Sequence, residues 1–327
     1  MTICDTSRNG YTRICTECKQ EFVASRRDAL YCSPACRQRV NRRNKRNQSA
    51  VSTMAVPGEI RKPPIRYFGG KWRVAKWIID QFPQHTTYVE PFAGGASVLF
   101  QKQPALYEVI NDRNADVVNF FDVLRTKPDE LIRQIKLTPF SRYELKRARL
   151  PARDPIERAR RFYIRQWQSF GSGESKTPTG WRFQRDHARG ARLVDEWDNV
   201  ERLYQTASRL KAVQIECDDA LKVINRFDTE ETLFYVDPPY LFSTRANKRP
   251  MYAHEMNDNQ HHDLLDKLLS VRGMVVLSGY KNDLYMDKLK GWRMLTKHTR
   301  TNANGKAIEC LWVSPKAQGA NNEEIQF

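Results

Sequence analysis

The chain has 327 residues, 40% of them hydrophobic and 28% charged, and a formal charge of +17. This length fits one large domain plus a small one. No apolar run approaches the roughly 18–20 residues of a membrane span and no secretory core opens the chain, so a cytoplasmic protein is expected. The charge is concentrated: residues 1–62 carry 13 Lys/Arg against 5 Asp/Glu, residues 136–192 carry 15 against 5, and the remainder is near neutral. Two separated basic segments on a neutral body point to a polyanion gripped by two elements.

Five of the seven cysteines fall in the first 36 residues. Four of them form two chelating pairs, Cys15-x2-Cys18 and Cys32-x3-Cys36, thirteen residues apart. Four thiolates at such spacing make a closed tetrahedral site, and a cytoplasmic chain would not keep them as disulfides, so a structural Zn2+ is expected. Cys4 stands outside the pattern. Ser33 reads as an N-cap and Pro34 as the first residue of a helix that carries Cys36 and then Arg37, Arg39, Arg42, Arg43, Lys45 and Arg46. A helix that starts on a zinc ligand and continues as a basic rod resembles the treble-clef zinc fingers. Arg39, Arg42 and Arg43 are its candidate phosphate contacts. The expected organisation is a finger over 1–47, a flexible linker over 48–62 and the main domain over 63–320.

Further along, strand and helix patterns alternate. "PPIRYFGGKWRVAKWIIDQF" reads as a glycine turn and an amphipathic helix, and "TTYVEPFAGGASVLFQ" as strand, glycine turn and helix. "ALYEVIND", "AVQIE", "TLFYV", "GMVVLSGY" and two segments near 293–299 and 308–314 read as strands. Strands alternating with helices predict an α/β fold with a mainly parallel, doubly wound sheet, and the last two strands an antiparallel edge. Glu90 and Asp112 end successive strands, where such sheets bind ligands, and Gly94 and Gly95 allow close backbone approach. The turn is not G-x-G-x-x-G and no P-loop is present, which favours a nucleoside without pyrophosphate. "FYVDPPY" ends its strand on two prolines, which cannot donate to a ladder, and so places Asp237 at a pocket edge.

The ordered set "YFGGK", "VEPFAGGASV", "IND", "IECDDALKVI" and "LFYVDPPY" resembles the Dam-like DNA adenine N6-methyltransferases over roughly residues 63–315. The resemblance implies a Rossmann-like methyltransferase sheet, S-adenosylmethionine as methyl donor and a flipped adenine in double-stranded DNA as substrate. It assigns Tyr67 and Lys71 to an element near the donor's methionine end, Glu90, Phe92 and Gly94 to the cofactor loop, and Asp112 to the ribose. Asp219, with Asp218 as its rival, is assigned to the donor's adenine, and Asp237, Pro238, Pro239 and Tyr240 to the catalytic tetrapeptide. N4-cytosine methylation and a non-catalytic DNA-binding protein on the same scaffold are the alternatives. A monomer is expected, and a partner restriction endonuclease is left open.

The interval 113–211 reads as mostly helical and, by the resemblance, as the target-recognition region. Ser141 and Glu144 form a capping-box pattern. Arg142, Arg161 and Arg165 are the candidate DNA contacts here, while Phe162, Tyr163 and Trp167 at helical spacing read as core. Tyr252 and Glu255 resemble positions in a family loop that orders over substrate. His261 and His262, adjacent on a helix, point about 100° apart and read as surface or packing residues rather than a metal pair.

Overall fold

The computed structural model describes residues 11–26, 28–42, 60–171, 179–184, 192–245, 250–300 and 306–321. Contacts divide the chain into two units, Met1–Ala55 and Val56–Phe327. The expected linker and Cys4, Arg43, Lys45 and Arg46 lie mostly or wholly outside the described residues.

In the first unit, β1 (Tyr11–Ile14) and β2 (Glu21–Ala24) pair antiparallel from Tyr11↔Ala24 to Ile14↔Glu21. The turn between them folds back through Cys15 N–H to the Gln20 carbonyl (2.8 Å) and Lys19 N–H to the Cys15 carbonyl (2.9 Å). Lys19 takes φ 58 to do so. Helix α1 covers residues 34–42. It starts where expected, because the Ser33 hydroxyl accepts the Cys36 N–H at 3.3 Å and so satisfies an orphan donor of the first turn.

The second unit is built on seven strands: β3 (Thr87–Glu90), β4 (Tyr107–Asn111), β5 (Val213–Glu216), β6 (Thr232–Val236), β7 (Met274–Gly279), β8 (Arg293–Arg300) and β9 (Lys306–Val313). Their order is β5-β4-β3-β6-β7-β9-β8. The first five are parallel, and β9 runs antiparallel between β7 and β8. This is the expected doubly wound sheet with an antiparallel edge. Its central strands β6 and β7 are buried along their whole length and mostly apolar because both faces are covered, whereas the edge strands β5 and β8 carry polar residues. On one face Tyr88, Ile110, Leu233, Val276 and Leu311 join the core with helices α3 (Ala115–Thr126), α4 (Pro128–Lys136), α6 (Pro155–Gln168) and α8 (Leu203–Leu210). On the other, Val89, Val109, Phe234, Leu277 and Trp312 pack with α9 (Ala220–Arg226), α10 (Asp258–Ser270) and α11 (Asp283–Lys288). The remaining helices are α2 (Ala75–Ile79), α5 (Arg142–Ala148), α7 (Leu193–Asp198) and α12 (Pro315–Asn321). Among the described residues no helix is long and apolar enough to cross a membrane.

Three local readings change. The helix expected after "VEPFAGG" is a set of turns over 97–101. Its backbone ladder is mixed: the N–H groups of Phe100 and Lys102 reach back four residues but that of Gln101 only three, to Val98, while Leu99 N–H goes to the Glu90 carboxylate (2.7 Å). The amphipathic helix after "YFGGK" is only the five residues of α2. At α5 the Ser141 hydroxyl caps the first turn, but Glu144 turns to Arg147 and Arg160, and Ser141 N–H is satisfied by Gln168 at 3.0 Å.

Candidate active site

The parallel strands end together, and the acids behind them share one cavity. β3 delivers Glu90, β4 delivers Asn111 and then Asp112, and the start of α9 delivers Asp219. The Asp112 carboxylate is braced from the chain side, one oxygen by Gly94 N–H and the other by Asn114 N–H, both at 2.8 Å. Gly94 holds φ 48, and a Cβ there would stand 2.7 Å from the Tyr67 ring, so the turn closes on that ring only with glycine. Asn111 ties the loops together through the Pro91 carbonyl (2.9 Å) and through the carbonyl and N–H of Asp218 (3.1 and 2.9 Å). Burial raises Asp112 to about 6 against these backbone bonds. Glu90 rises to about 7, again by burial, although the Tyr88 hydroxyl and Leu99 N–H favour its charged form.

At the end of β6, Asp237 meets Lys71. Oδ2 accepts an aligned hydrogen bond from Nζ at 2.9 Å. Oδ1 lies 2.8 Å from the same ammonium but, buried, has no aligned hydrogen bond. A short approach without alignment leaves acceptor capacity on that oxygen. Lys71 also donates to the Gly69 carbonyl (2.9 Å), lies 3.9 Å from Glu309 and sits 4.8 Å above the Tyr240 ring. The Tyr240 hydroxyl donates to Glu309, and its ring meets Tyr280 at 4.7 Å. Burial opposes the charge on Lys71, yet Asp237 and Glu309 outweigh it and hold the amine firmly protonated. Burial raises both carboxyls above their ordinary range, with Lys71 pulling the other way.

The cavity encloses about 220 Å³, against roughly 10–15 Å³ for one water on the same measure, so it is sized for an organic ligand. Tyr67, Lys71, Glu90, Phe92, Gly94, Asp112, Asp219, Asp237 and Pro239 all line it; Asp218, Pro238 and Tyr240 do not. Asp219 caps α9 through Leu221 N–H (2.9 Å), whereas Asp218 turns to Arg226 at 3.1 Å. Tyr252 also lines the cavity, with its ring against Phe68 at 5.3 Å. Its loop is clamped by Glu255, which takes Arg245 in a two-pronged pair (3.0 and 2.7 Å) together with the N–H groups of Met251 and Tyr252. His261 is buried against the Tyr285 hydroxyl (3.0 Å) while His262 faces solvent, as packing and surface residues. Sequence reasoning did not single out Glu309. Its signal was a lone acid inside the apolar run "AIECLWV".

A family model described as D12 class N6 adenine-specific DNA methyltransferase matches residues 67–306. The chain belongs to this family. It is an adenine-specific DNA methyltransferase, and DNA is its substrate. It is similar to the type II methyltransferase M.MjaIII of Methanocaldococcus jannaschii, with 23% identity covering 71% of this chain and 89% of that one. Against a DNA adenine methylase of Salmonella typhi the identity is 24%, covering 71% and 84%. Against the type II methyltransferase M1.LlaDCHI of Lactococcus lactis it is 24%, covering 76% and 94%.

In the first unit, Cys15, Cys18, Cys32 and Cys36 bring their sulfurs within 4.8 Å of one another. Cys32 lies 3.5 Å from both Cys18 and Cys36. Burial disfavours charge on Cys15, but the N–H groups of Cys18, Cys32 and Glu17 turn toward its sulfur and bring the thiol down to about 6. Arg39 approaches the Cys36 sulfur at 3.5 Å, and Arg42 is exposed on α1. In the helical layer, Arg161 pairs with Glu157 at 2.6 Å and with the Leu150 and Pro151 carbonyls, and Arg165 pairs with Asp116 at 2.6 Å. Arg142 is exposed, 4.9 Å above the Trp181 ring. Lys146 and Arg149, which sequence reasoning passed over, share its face of α5 at helical spacing and are exposed as well.

Proposed function

We propose that the cavity holds S-adenosylmethionine over Glu90, Phe92, Asp112 and Asp219, and that Asp237 receives the exocyclic amine of an extruded adenine. Six acids line the cavity (Glu90, Asp112, Asp219, Asp237, Glu255 and Asp263), against Lys71 and Arg113. That donor set suits a cationic nucleoside and disfavours a phosphorylated one. When bound, S-adenosylmethionine supplies a methyl group on a sulfonium leaving group. Adenine's amine is a weak nucleophile because its lone pair is delocalised into the ring. Asp237 and a proline-locked carbonyl of the tetrapeptide accept its two N–H bonds, hold the nitrogen nearer tetrahedral and aim its lone pair. As the nitrogen becomes cationic, the fixed carboxylate stabilises it and takes the proton that the methylated product must lose. Tyr240, its hydroxyl held by Glu309 and its ring just beyond the cavity lining, offers a stacking face to the extruded base.

The observation that carries this reading is the buried Asp237 oxygen, 2.8 Å from Lys71 yet without an aligned hydrogen bond, in the cavity shared with Asp112 and Asp219. Pure protein given S-adenosylmethionine and mixed duplex DNA should mark adenines in one sequence context by base-level methylation detection. Unmarked adenines, or methylated cytosines, would end the proposal.

We also propose that the four cysteines hold one Zn2+. Zinc–sulfur bonds of about 2.3 Å put tetrahedral sulfurs roughly 3.8 Å apart, close to the spacing observed. Arg39 and Arg42 on α1 and Arg142, Lys146 and Arg149 on α5 then grip DNA phosphates, while Arg161 and Arg165 brace the target-recognition layer. Replacing Arg39 and Arg42 by Gln should make the salt dependence of DNA binding shallower by roughly 0.9 per lost phosphate contact. An unchanged slope would favour a finger that contacts protein. The type II relatives support a partner endonuclease in a restriction system, and the monomer and the cytoplasmic location remain part of the same proposal.

A further inference from the structure

Glu309 sits where a strand of opposite direction reaches the ligand edge. β9 runs antiparallel to β7, so its early residues lie at the carboxyl ends of the parallel strands, beside Asp237. The side chains of Leu311 and Val313 belong to one core, those of Cys310 and Trp312 to the other. By that alternation Glu309 faces the layer of Tyr235 and Tyr240. It is 7% exposed, and an acid so buried needs partners. It has two, Tyr240 and Lys71, and both also act on Asp237.

Two carboxylates therefore share one ammonium and one hydroxyl. Among the described residues Lys71 is the cation that pairs with either carboxylate, so one ammonium serves two carboxyl groups. With Asp237 alone, Lys71 and the Tyr240 hydroxyl would both turn onto it, and its second oxygen would be spent before substrate arrives. We infer that Glu309 is a positioning residue of methyl transfer: by drawing the Tyr240 hydroxyl and part of the Lys71 charge to itself, it keeps an Asp237 oxygen open for the adenine amine. It touches neither donor nor base and acts only through those two side chains. The inference rests on Asp237 being the amine acceptor. Nothing about the cysteine unit enters it.

The test compares Glu309→Gln, Glu309→Asp and Asp237→Asn in the full chain, reading kcat, KM for duplex DNA, S-adenosylmethionine affinity and melting temperature. Glutamine can still accept the Tyr240 hydroxyl but no longer competes for Lys71. Glu309→Gln should lose roughly ten- to a hundredfold in kcat, with donor affinity, DNA KM and melting almost unchanged. Glu309→Asp, which keeps the charge, should recover most of that loss. Wild-type kcat in Glu309→Gln, a loss that falls in donor binding or melting instead, or an aspartate as poor as the glutamine would each overturn the inference. If Asp237→Asn is itself fully active, the fault lies with Asp237 as acceptor. If Asp237→Asn is inactive and Glu309→Gln is not, Glu309 alone is misassigned.

Discussion

Asp237→Asn keeps the shape of the side chain and removes its charge. In the native site Lys71 Nζ is 2.9 Å from Oδ2 and 2.8 Å from Oδ1. An asparagine will offer its carbonyl to Lys71 and so turn its NH2 toward the place of the adenine amine, setting donor against donor. Removing one partner of a buried pair costs about 3–5 kcal/mol when the other is stranded. Here Glu309 remains 3.9 Å from Lys71, so the loss of stability should be nearer 2 kcal/mol, a fall of roughly 4–8 °C in melting temperature. The rate effect is separate, because losing a preorganised charged acceptor costs roughly 10²–10³ in kcat. Single-turnover methylation well below the melting transition isolates it, and a donor titration by calorimetry should show affinity nearly intact. In the native protein kcat should fall as pH drops through an Asp237 value raised above the ordinary carboxylate range by burial. Activity of Asp237→Asn within about threefold of native, or a loss confined to KM, would refute both the geometry and the charge argument.

Four other outcomes follow from the same structure. Donor affinity should weaken as pH falls below about 7 and again near 6, as Glu90 and then Asp112 protonate, and Asp112→Asn should remove the second step. The Asp112 contribution to the stability of the free protein runs the opposite way: its folded value is raised, so its stabilisation is complete below the ordinary 3.8 and lost as pH rises through about 6. Chelation, or Cys32→Ser, should release one zinc by mass spectrometry and weaken DNA binding while leaving donor affinity unchanged; a protein purified without metal would contradict this. Gly94→Ala should cost about 1–2 kcal/mol of backbone strain and push Tyr67 into the cavity, raising the donor's KM more than it lowers melting. Glu108→Gln should cost about 3 kcal/mol in denaturant titrations, since Lys102 and Arg209 are buried against that carboxylate and would be left unpaired.

The strands were legible because a parallel sheet covered on both faces must be apolar along its whole length, and "TLFYV" and "MVVLSG" say so without help from neighbours. The acids at strand ends were legible for a related reason: a charge directly behind such a run can stand only where the sheet opens. What could not be read were choices between a near partner and a distant one. Leu99 N–H takes the Glu90 carboxylate, nine residues back, at the start of a segment that forms turns where a helix was expected. Arg161 and Arg165 read as candidate DNA contacts in a basic segment, and their pairing with Glu157 and Asp116 was not visible there. Lys71 lines the cavity, but its pairing with Asp237 was not readable, and Glu309 showed only as a lone acid in an apolar run because its partners come from segments far away in the chain.

These unread pairings have one cause. Local propensity sets the default partner of each polar group, and tertiary burial replaces it whenever a charged acceptor is brought close in a poorly solvated place, where the bond is stronger. The replacements gather at the ligand edge of the sheet because that is where the fold must bury charge. Glu90 and Glu309 are buried and Asp237 is partly so, and each takes a donor from another element. The departures from local reading thus mark the chemistry: a group whose partner lies across the fold is held still by it, and stillness is what a weak nucleophile requires of its acceptors.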